Sequence, residues 1–304
     1  MTETGAVATT HCGASGRDGR AGRSLLRRLL KNRMLLVGGS LILAMVLGAV
    51  CAPLLATSDP LRQDTANRLK PPFWETGDLR HPLGTDPLGR DVWTRVLFGS
   101  RISLTLGLVA VAVSGSIGTL LGLLAGYYER HVGDLVMRLV DVQLSFPVIL
   151  LAISVVAVVG RSLPALVAVL AISGWVVYAR TVRGSVLSLK GKDFIEATRA
   201  LGSGGLRILF RHILPNCMAP LLVVATVQMA TMIILESGLS FFGLGTQPPT
   251  PSWGGMLAEG REYLIAGAWW LTTFPGLAIS IAVLGINLAG DGLRDVLDPQ
   301  LQNH

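Results

Sequence analysis

Charge is what this sequence has least of. Only 15% of its 304 residues are Asp, Glu, Lys or Arg, while 51% are hydrophobic. Water-soluble domains carry about 25% charged residues, so this chain has too few to cover a surface that faces water. Cysteine is also scarce: Cys12, Cys51 and Cys217 are scattered singly and exclude a disulfide framework. The five histidines show no paired ligand spacing, so no metal site is expected. A phosphate-binding loop is missing as well. The one Gly-Lys pair, Gly191-Lys192, is followed by Asp193 where Ser or Thr is needed. The chain is not expected to hydrolyse ATP or to act as an enzyme.

What fills the sequence instead is apolar blocks of bilayer length, roughly 17–25 residues each. Six are present: Met34–Leu55, Ile102–Gly126, Val142–Val159, Leu163–Ala179, Met218–Leu235 and Ala266–Leu288. An all-α polytopic membrane protein with six spans is expected, the third and fourth joined in a tight hairpin by Gly160-Arg161-Ser162. The basic run Arg27–Arg33 before the first block resembles a signal peptide. The block is longer than the usual ~7–15-residue signal core, which favours a retained anchor.

The net charge of +7 invites a nucleic-acid reading, but its placement speaks for topology. Six spans put both termini on one side. Seventeen of the 26 Lys and Arg residues then fall on that side, so both termini are expected in the cytoplasm. The first outer loop, Thr57–Gly99, holds six of the remaining nine, with Arg101 just beyond it, and fits the rule least well. The six blocks contain no Asp, Glu, Lys, Arg or His, and Asp141, Arg180, Glu236 and Asp291 stand only at their edges. Gradient-driven transporters commonly bury ionisable groups at mid-depth, so energy for any transport is expected to come from elsewhere.

One stretch interrupts the apolar pattern: DFIEATRALGSGGLRILFRHILPN, Asp193–Asn216. Asp193 and Glu196 have the spacing of a capping box, Gly202 can stop a helix in the left-handed conformation, and Ser203 can cap a second one. Pro215 interrupts the pattern where the fifth span begins. Two short helices with a sharp corner are expected, either as an interfacial amphipathic hairpin or as a lever that docks a cytoplasmic partner.

Glu196-Ala197-Thr198, Gly202 and Leu214-Pro215 together resemble the EAA loop of ATP-binding cassette (ABC) importer permeases, with Thr198 where the family usually has a second alanine. HPLGTDPLGRDVWTRVLFGSRISL (His81–Leu104), GWVVYARTVRGSVLSLKGKDFIEA (Gly174–Ala197), ESGLSFFGLGTQPPTPSWGGML (Glu236–Leu257) and NLAGDGLRDVLDP (Asn287–Pro299) resemble the C-type subunit of the dipeptide/oligopeptide/nickel branch. The resemblance runs from about Arg27 to Pro299. It implies a type I ABC importer fold and a permease that forms the translocation path with a homologous B-type permease. It also implies two ATPase subunits holding ATP-Mg, an extracytoplasmic substrate-binding protein, and coupling through residues 190–214. Dipeptides or oligopeptides are the implied cargo; nickel, glutathione or another small solute is the alternative within the class. An ATPase-independent secondary transporter or channel is the alternative outside it, and a structural scaffold is a third.

Further residues carry expectations of their own. Glu236 either lines the path or is an interfacial carboxylate held by loop amides. Ser114, Gly118, Gly122 and Gly126 form a smooth stripe that packs either within the subunit or against another subunit. Arg138 and Asp141 can pair on one helical face. Trp253, Trp269 and Trp270 are expected to anchor the outer interface, and Gly290-Asp291-Gly292 to end the sixth span. Residues 1–26 are expected to form a disordered cytoplasmic tail, 27–99 the first span and outer loop, 100–299 the core with five spans, and 300–304 a C-terminal tail.

Overall fold

The computed structural model describes residue 29 and residues 31–297. The expected tails at 1–26 and 300–304 lie outside the described residues. Among the described residues the chain is helical, with one isolated bridge, Thr85 to Asp91, and no strand.

Helix α1, Arg33–Val50, is capped by Asn32, whose side chain accepts from Leu35 N. Helix α2, Val92–Tyr127, begins well before the expected Ile102. The Asp91 carboxylate caps it by accepting from Thr94 N at 2.9 Å. Its 36 residues extend about 54 Å at 1.5 Å per residue, more than a ~30 Å hydrocarbon core requires.

The third span is broken. Helices α3, Asp134–Leu144, and α4, Val148–Val159, meet at 94° across Ser145-Phe146-Pro147. Pro147 cannot donate a backbone bond, and it disfavours helical geometry at Phe146. The hairpin at Gly160 is as expected. Ser162 caps α5, Leu163–Lys190, by accepting from Ala165 N, and Ala152 of α4 packs with Leu166, Val169 and Leu170 of α5.

After α5 come the short α6, Asp193–Ala200, and the long α7, Gly205–Phe241, which contains a π turn at Leu209–Ile213. Helix α8, Trp253–Arg261, and helix α9, Trp270–Leu297, complete the chain. Helix α9 does not stop at Gly290-Asp291-Gly292. Those glycines are mid-helix because a neighbour needs their surface: a Cβ on Gly292 would lie 2.6 Å from Leu35 N of α1.

The small-residue stripe of α2 faces α5 of the same chain. A Cβ on Gly118 would lie 2.3 Å from Trp175 O, on Gly122 2.6 Å from Ala179 O, and on Gly126 2.6 Å from Val186 Cβ. Ser114 is buried beside Gly174. Of the two readings of the stripe, packing within the subunit is the one the structure shows.

The start of α1 lies beside the last turns of α9, since Asn32 Nδ2 donates to Gly292 O at 3.4 Å. That end also carries the α5–α6–α7 corner, because Lys190 Nζ reaches Tyr127 O at 3.0 Å and Gly205 packs on Tyr127. The opposite end carries the 57–91 and 242–269 segments, with Trp270 Nε1 bonded to Thr85 O at 3.1 Å.

Candidate functional site

The corner is built from one buried contact and one special backbone position. Ile195 is the buried residue of α6 and inserts among Val182, Val186, Ile208, Leu209 and Ile213. Around it Glu196, Ala197 and Arg199 are exposed, Thr198 is half-buried, and Leu201 is 87% exposed. Gly202 has φ +80°, the left-handed conformation its glycine predicts, and a Cβ there would meet nothing within 4 Å.

Two capping expectations are corrected. Asp193 is the first helical residue, not the cap; Lys192 takes the extended cap conformation (φ −83°, ψ 142°), and no side chain caps the helix. With Asp193 inside, Glu196 sits one position too far along for a reciprocal box. Both carboxylates instead lie in the first turn, where the helix dipole favours them. Ser203 does not cap the second helix either, because Gly204 holds the extended position before it.

The second helix is not short. Gly205–Phe241 is continuous, and Pro215 does not interrupt it. The π turn Leu209–Ile213 ends with one residue, Leu214, between it and that proline, shifting the backbone ladder near the missing donor. Leu214 packs on the cluster that holds Ile195, whereas Pro215 is exposed.

At the opposite end the first loop is folded onto the helices by a buried ionic knot. Asp86 Oδ2 accepts from Arg90 Nε at 2.6 Å and from Arg95 Nη1. Glu259 of α8 takes Arg95 Nη1 at 2.7 Å and Arg90 Nη2 at 3.0 Å. Asp86, Arg90 and Arg95 are 2%, 6% and 4% exposed. Arg101 donates to Ala49 O and Val50 O at the C-terminal end of α1. Three of the loop-end arginines are therefore paired with acidic or carbonyl partners, although the buried Arg95 Nε has none.

Glu236 is not at a helix edge. It lies inside α7, 0% exposed, with its Oε1 accepting from Ser240 Oγ at 2.8 Å and its Oε2 from Ser103 Oγ at 3.4 Å. Within this subunit it is enclosed, and hydroxyls rather than loop amides hold it. Asp141 pairs with Arg180 at 3.0 Å and not with Arg138. Trp253 and Trp270 are core pins instead of interfacial anchors. Both are buried, and Trp253 Nε1 donates to Val96 O at 3.0 Å. Trp269 is exposed and stacks with Trp74 and Phe274 at 6.2 and 6.0 Å.

Two apolar grooves of about 690 and 500 Å³ lie along α2 and α7 and share Val111, Leu222 and Ala225. Their walls are aliphatic side chains with the Tyr178 and Phe210 rings, and Arg101 and a few hydroxyls complete the lining. No group of three or more His, Cys, Asp or Glu side chains is placed to hold a metal among the described residues.

Residues 118–303 match the family of binding-protein-dependent transport system inner membrane components, and residues 21–72 match the N-terminal transmembrane domain of oligopeptide transport permease C. The di/tripeptide transport system permease protein DppC of Pseudomonas aeruginosa is 47% identical over 269 residues, covering 88% of each chain. The dipeptide transport system permease protein DppC of Alkalihalophilus pseudofirmus is 43% identical over 281 residues, covering 92% of this chain and 90% of the relative. The glutathione transport system permease protein GsiD of Pectobacterium atrosepticum is 43% identical over 281 residues, covering 92% of each. The fold is similar to a chain of the inward-facing MetNI methionine ABC transporter, with a TM-score of 0.55 at 21% identity over 68% of this chain and 97% of that one. With these matches across nearly its whole length, the chain belongs to the binding-protein-dependent inner membrane components, as a C-type permease of the ABC importers.

Proposed function

We propose that this subunit carries dipeptides or oligopeptides into a bacterial cell and takes its power from separate ATPases that grip the α6–α7 corner. The observation that carries this reading is the construction of the corner. Helix α6 hangs on Ile195 alone, presents Glu196 and Leu201 outward, and turns at Gly202 into a helix that reaches the other end of the molecule. A push on α6 is thus a push on α7. Glu196 and Arg199 are free to meet charged groups of a partner, and Leu201 is an apolar knob that needs a cover. The cargo assignment rests on relatives named for di- and tripeptides; a weakly polar path such as the α2–α7 grooves suits cargo of varied side chains.

In this reading a B-type permease completes the path, two ATPase subunits bind ATP-Mg, and a binding protein delivers cargo at the 57–91 end. The corner and both termini face the cytoplasm. Glu196, Ala197, Thr198 and Gly202 form the contact, with Leu214 and Pro215 setting where α7 leaves it.

Gly202→Val tests the corner. A β-branched residue held at φ +80° is destabilised by about 1–2 kcal/mol, so dipeptide uptake should fall about 5–30-fold. Membrane abundance should not change, because the added atoms enter open space. Gly202→Asn, which tolerates the left-handed conformation, should be milder. In parallel, the tagged chain should co-purify the ATPase subunits, and a Glu196→Ala/Gly202→Val double variant should not. Normal uptake and normal co-purification by that double variant at normal abundance would reject the reading.

A further inference from the structure

Glu236 is a carboxylate in the interior of a membrane helix whose bonds come only from hydroxyls. A buried ionisable group in a span is expensive and usually has a task. Its surroundings define the task. Three elements meet at this side chain without spare room. From α2 come Ser103, whose Oγ donates to Glu236 and accepts from Trp253 N at 3.3 Å, and Gly99, where a Cβ would lie 3.2 Å from the Trp253 ring. From α7 come Glu236, Ser237 and Ser240. From α8 comes Gly254, where a Cβ would lie 2.6 Å from Ser237 Cα and 2.8 Å from Ser240 Cβ. The segment between α7 and α8 folds back over the same place. Leu244 N donates to Leu239 O at 2.9 Å, and the Thr246 and Ser252 hydroxyls are 2.7 Å apart.

Apolar packing is non-directional and lets helices slide in small steps, whereas Glu236 of α7 bonds Ser103 of α2, and the same Ser103 Oγ takes Trp253 N at the start of α8, so this relay fixes the register of α8 against α7. We propose that Glu236 is a positioning residue that locks the cap helix α8 to α7, so that displacement of α7 at the Gly202 corner is delivered to the outer mouth. The inference rests on the importer reading above. The distance to be bridged is roughly 45 Å of continuous helix, at 1.5 Å per residue. At its far end α8 is in turn tied through Glu259 to Arg90 and Arg95, so the cap and the first loop move together.

The test uses the complete importer in proteoliposomes, with the three native cysteines replaced by serine and a fluorophore on Lys192→Cys or Glu262→Cys. In the otherwise unaltered chain, ATP should change the signal at both positions. Glu236→Leu should fold, because Ser103 and Ser240 can return their hydroxyls to carbonyls of their own helices. It should keep the response at 192 and lose it at 262. Uptake of radiolabelled dialanine should drop about tenfold while ATP hydrolysis stays within about twofold, a loss comparable in rate to one buried hydrogen bond. Glu236→Gln, which keeps an acceptor of the same shape, should restore both the signal at 262 and uptake.

A response at 262 that survives Glu236→Leu overturns the proposal, as does a Gln variant as defective as Leu. Absence of any ATP response at 262 in the unaltered chain also overturns it, because the cap then does not move. Failure of Glu236→Leu to assemble would make the residue a folding element only and equally sink the idea. If dialanine is not taken up but both fluorophores respond, the peptide reading fails and this one stands.

Discussion

Replacing Asp86 by alanine is expected to destabilise the subunit by about 3–5 kcal/mol, the usual penalty for breaking a buried ion pair from one side. Asp86 is 2% exposed and touches both Arg90 and Arg95 from the first loop. Its second oxygen accepts from Leu88 N at 2.8 Å and Arg90 N at 2.9 Å, so the same side chain shapes the turn before α2. Removing it leaves two guanidinium groups, 4% and 6% exposed, with only Glu259 to share. In detergent the thermal midpoint should fall on the order of 10 °C for a loss of that size. Asp86→Asn keeps the turn but not the charge and should lie between. Glu259→Gln should be milder still, because Glu259 is partly open to solvent at 33%. The burial also predicts insensitivity to salt: raising ionic strength should leave the Asp86 effect in place, as it would not for an exposed pair. A shift below about 2 °C for Asp86→Ala would show that the knot adds little to stability.

This knot also marks the limit of what the sequence alone could convey. That Asp86-Pro87-Leu88-Gly89-Arg90 makes a turn is local information. That Glu259, more than 160 positions later, closes it is not. The same division runs through the whole molecule. Gly202 was legible because a left-handed backbone is a property of one residue and its neighbours. The α4–α5 hairpin was legible because three polar residues separate two apolar blocks. The break at Pro147 could have been read too, since the proline lies in plain view inside the third block and biases Phe146 away from helix. The start of α2 could likewise have been found in Asp91, three residues before the Thr94 amide it caps.

Other features had no local signal. Glu236 sits beside an apolar block and invites placement at the membrane edge. Only the convergence of Ser103 and the N-terminus of α8, two distant segments, beside Ser240 one turn along α7 lets a carboxylate stay inside. Trp253 and Trp270 carry the composition of an interfacial belt, yet each found a carbonyl partner in the core, at Val96 and Thr85. An indole buried with its N–H satisfied is as stable as one at the headgroups, and sequence cannot choose between them. The capping box failed for a finer reason. Asp193-x-x-Glu196 has the right spacing, but the register of α6 is set by Ile195 reaching the core rather than by the cap. Tertiary burial of one isoleucine overrides a local preference worth about 1 kcal/mol.

The second large effect is expected at Gly118. Along α2 the positions 118, 122 and 126 face Trp175 O, Ala179 O and Arg183 O of α5, carbonyls that are themselves four residues apart. The two helices therefore share a register in which glycine Cα atoms lie over backbone oxygens, the close approach that small residues permit in membranes and that weak Cα–H···O contacts favour. At Gly118 the Cβ of any other residue would come 2.3 Å from Trp175 O and 2.6 Å from Tyr178 Cβ. A carbonyl oxygen cannot rotate away as a side-chain end can. Gly118→Val should then reach the upper end of the overpacking range, about 3 kcal/mol, and push α5 away from α2 along the seam that also holds Gly122 and Gly126. The variant should accumulate poorly in the membrane and unfold at a clearly lower temperature in detergent. Gly184, on α5 but with nothing within 4 Å of its would-be Cβ, provides the opposite sign. Gly184→Ala should stabilise the isolated subunit by up to about 1 kcal/mol through helix propensity alone. If Gly118→Val and Gly184→Ala behaved alike, glycine at 118 would be serving flexibility rather than contact, and the α2–α5 seam would not be the packing core the distances describe.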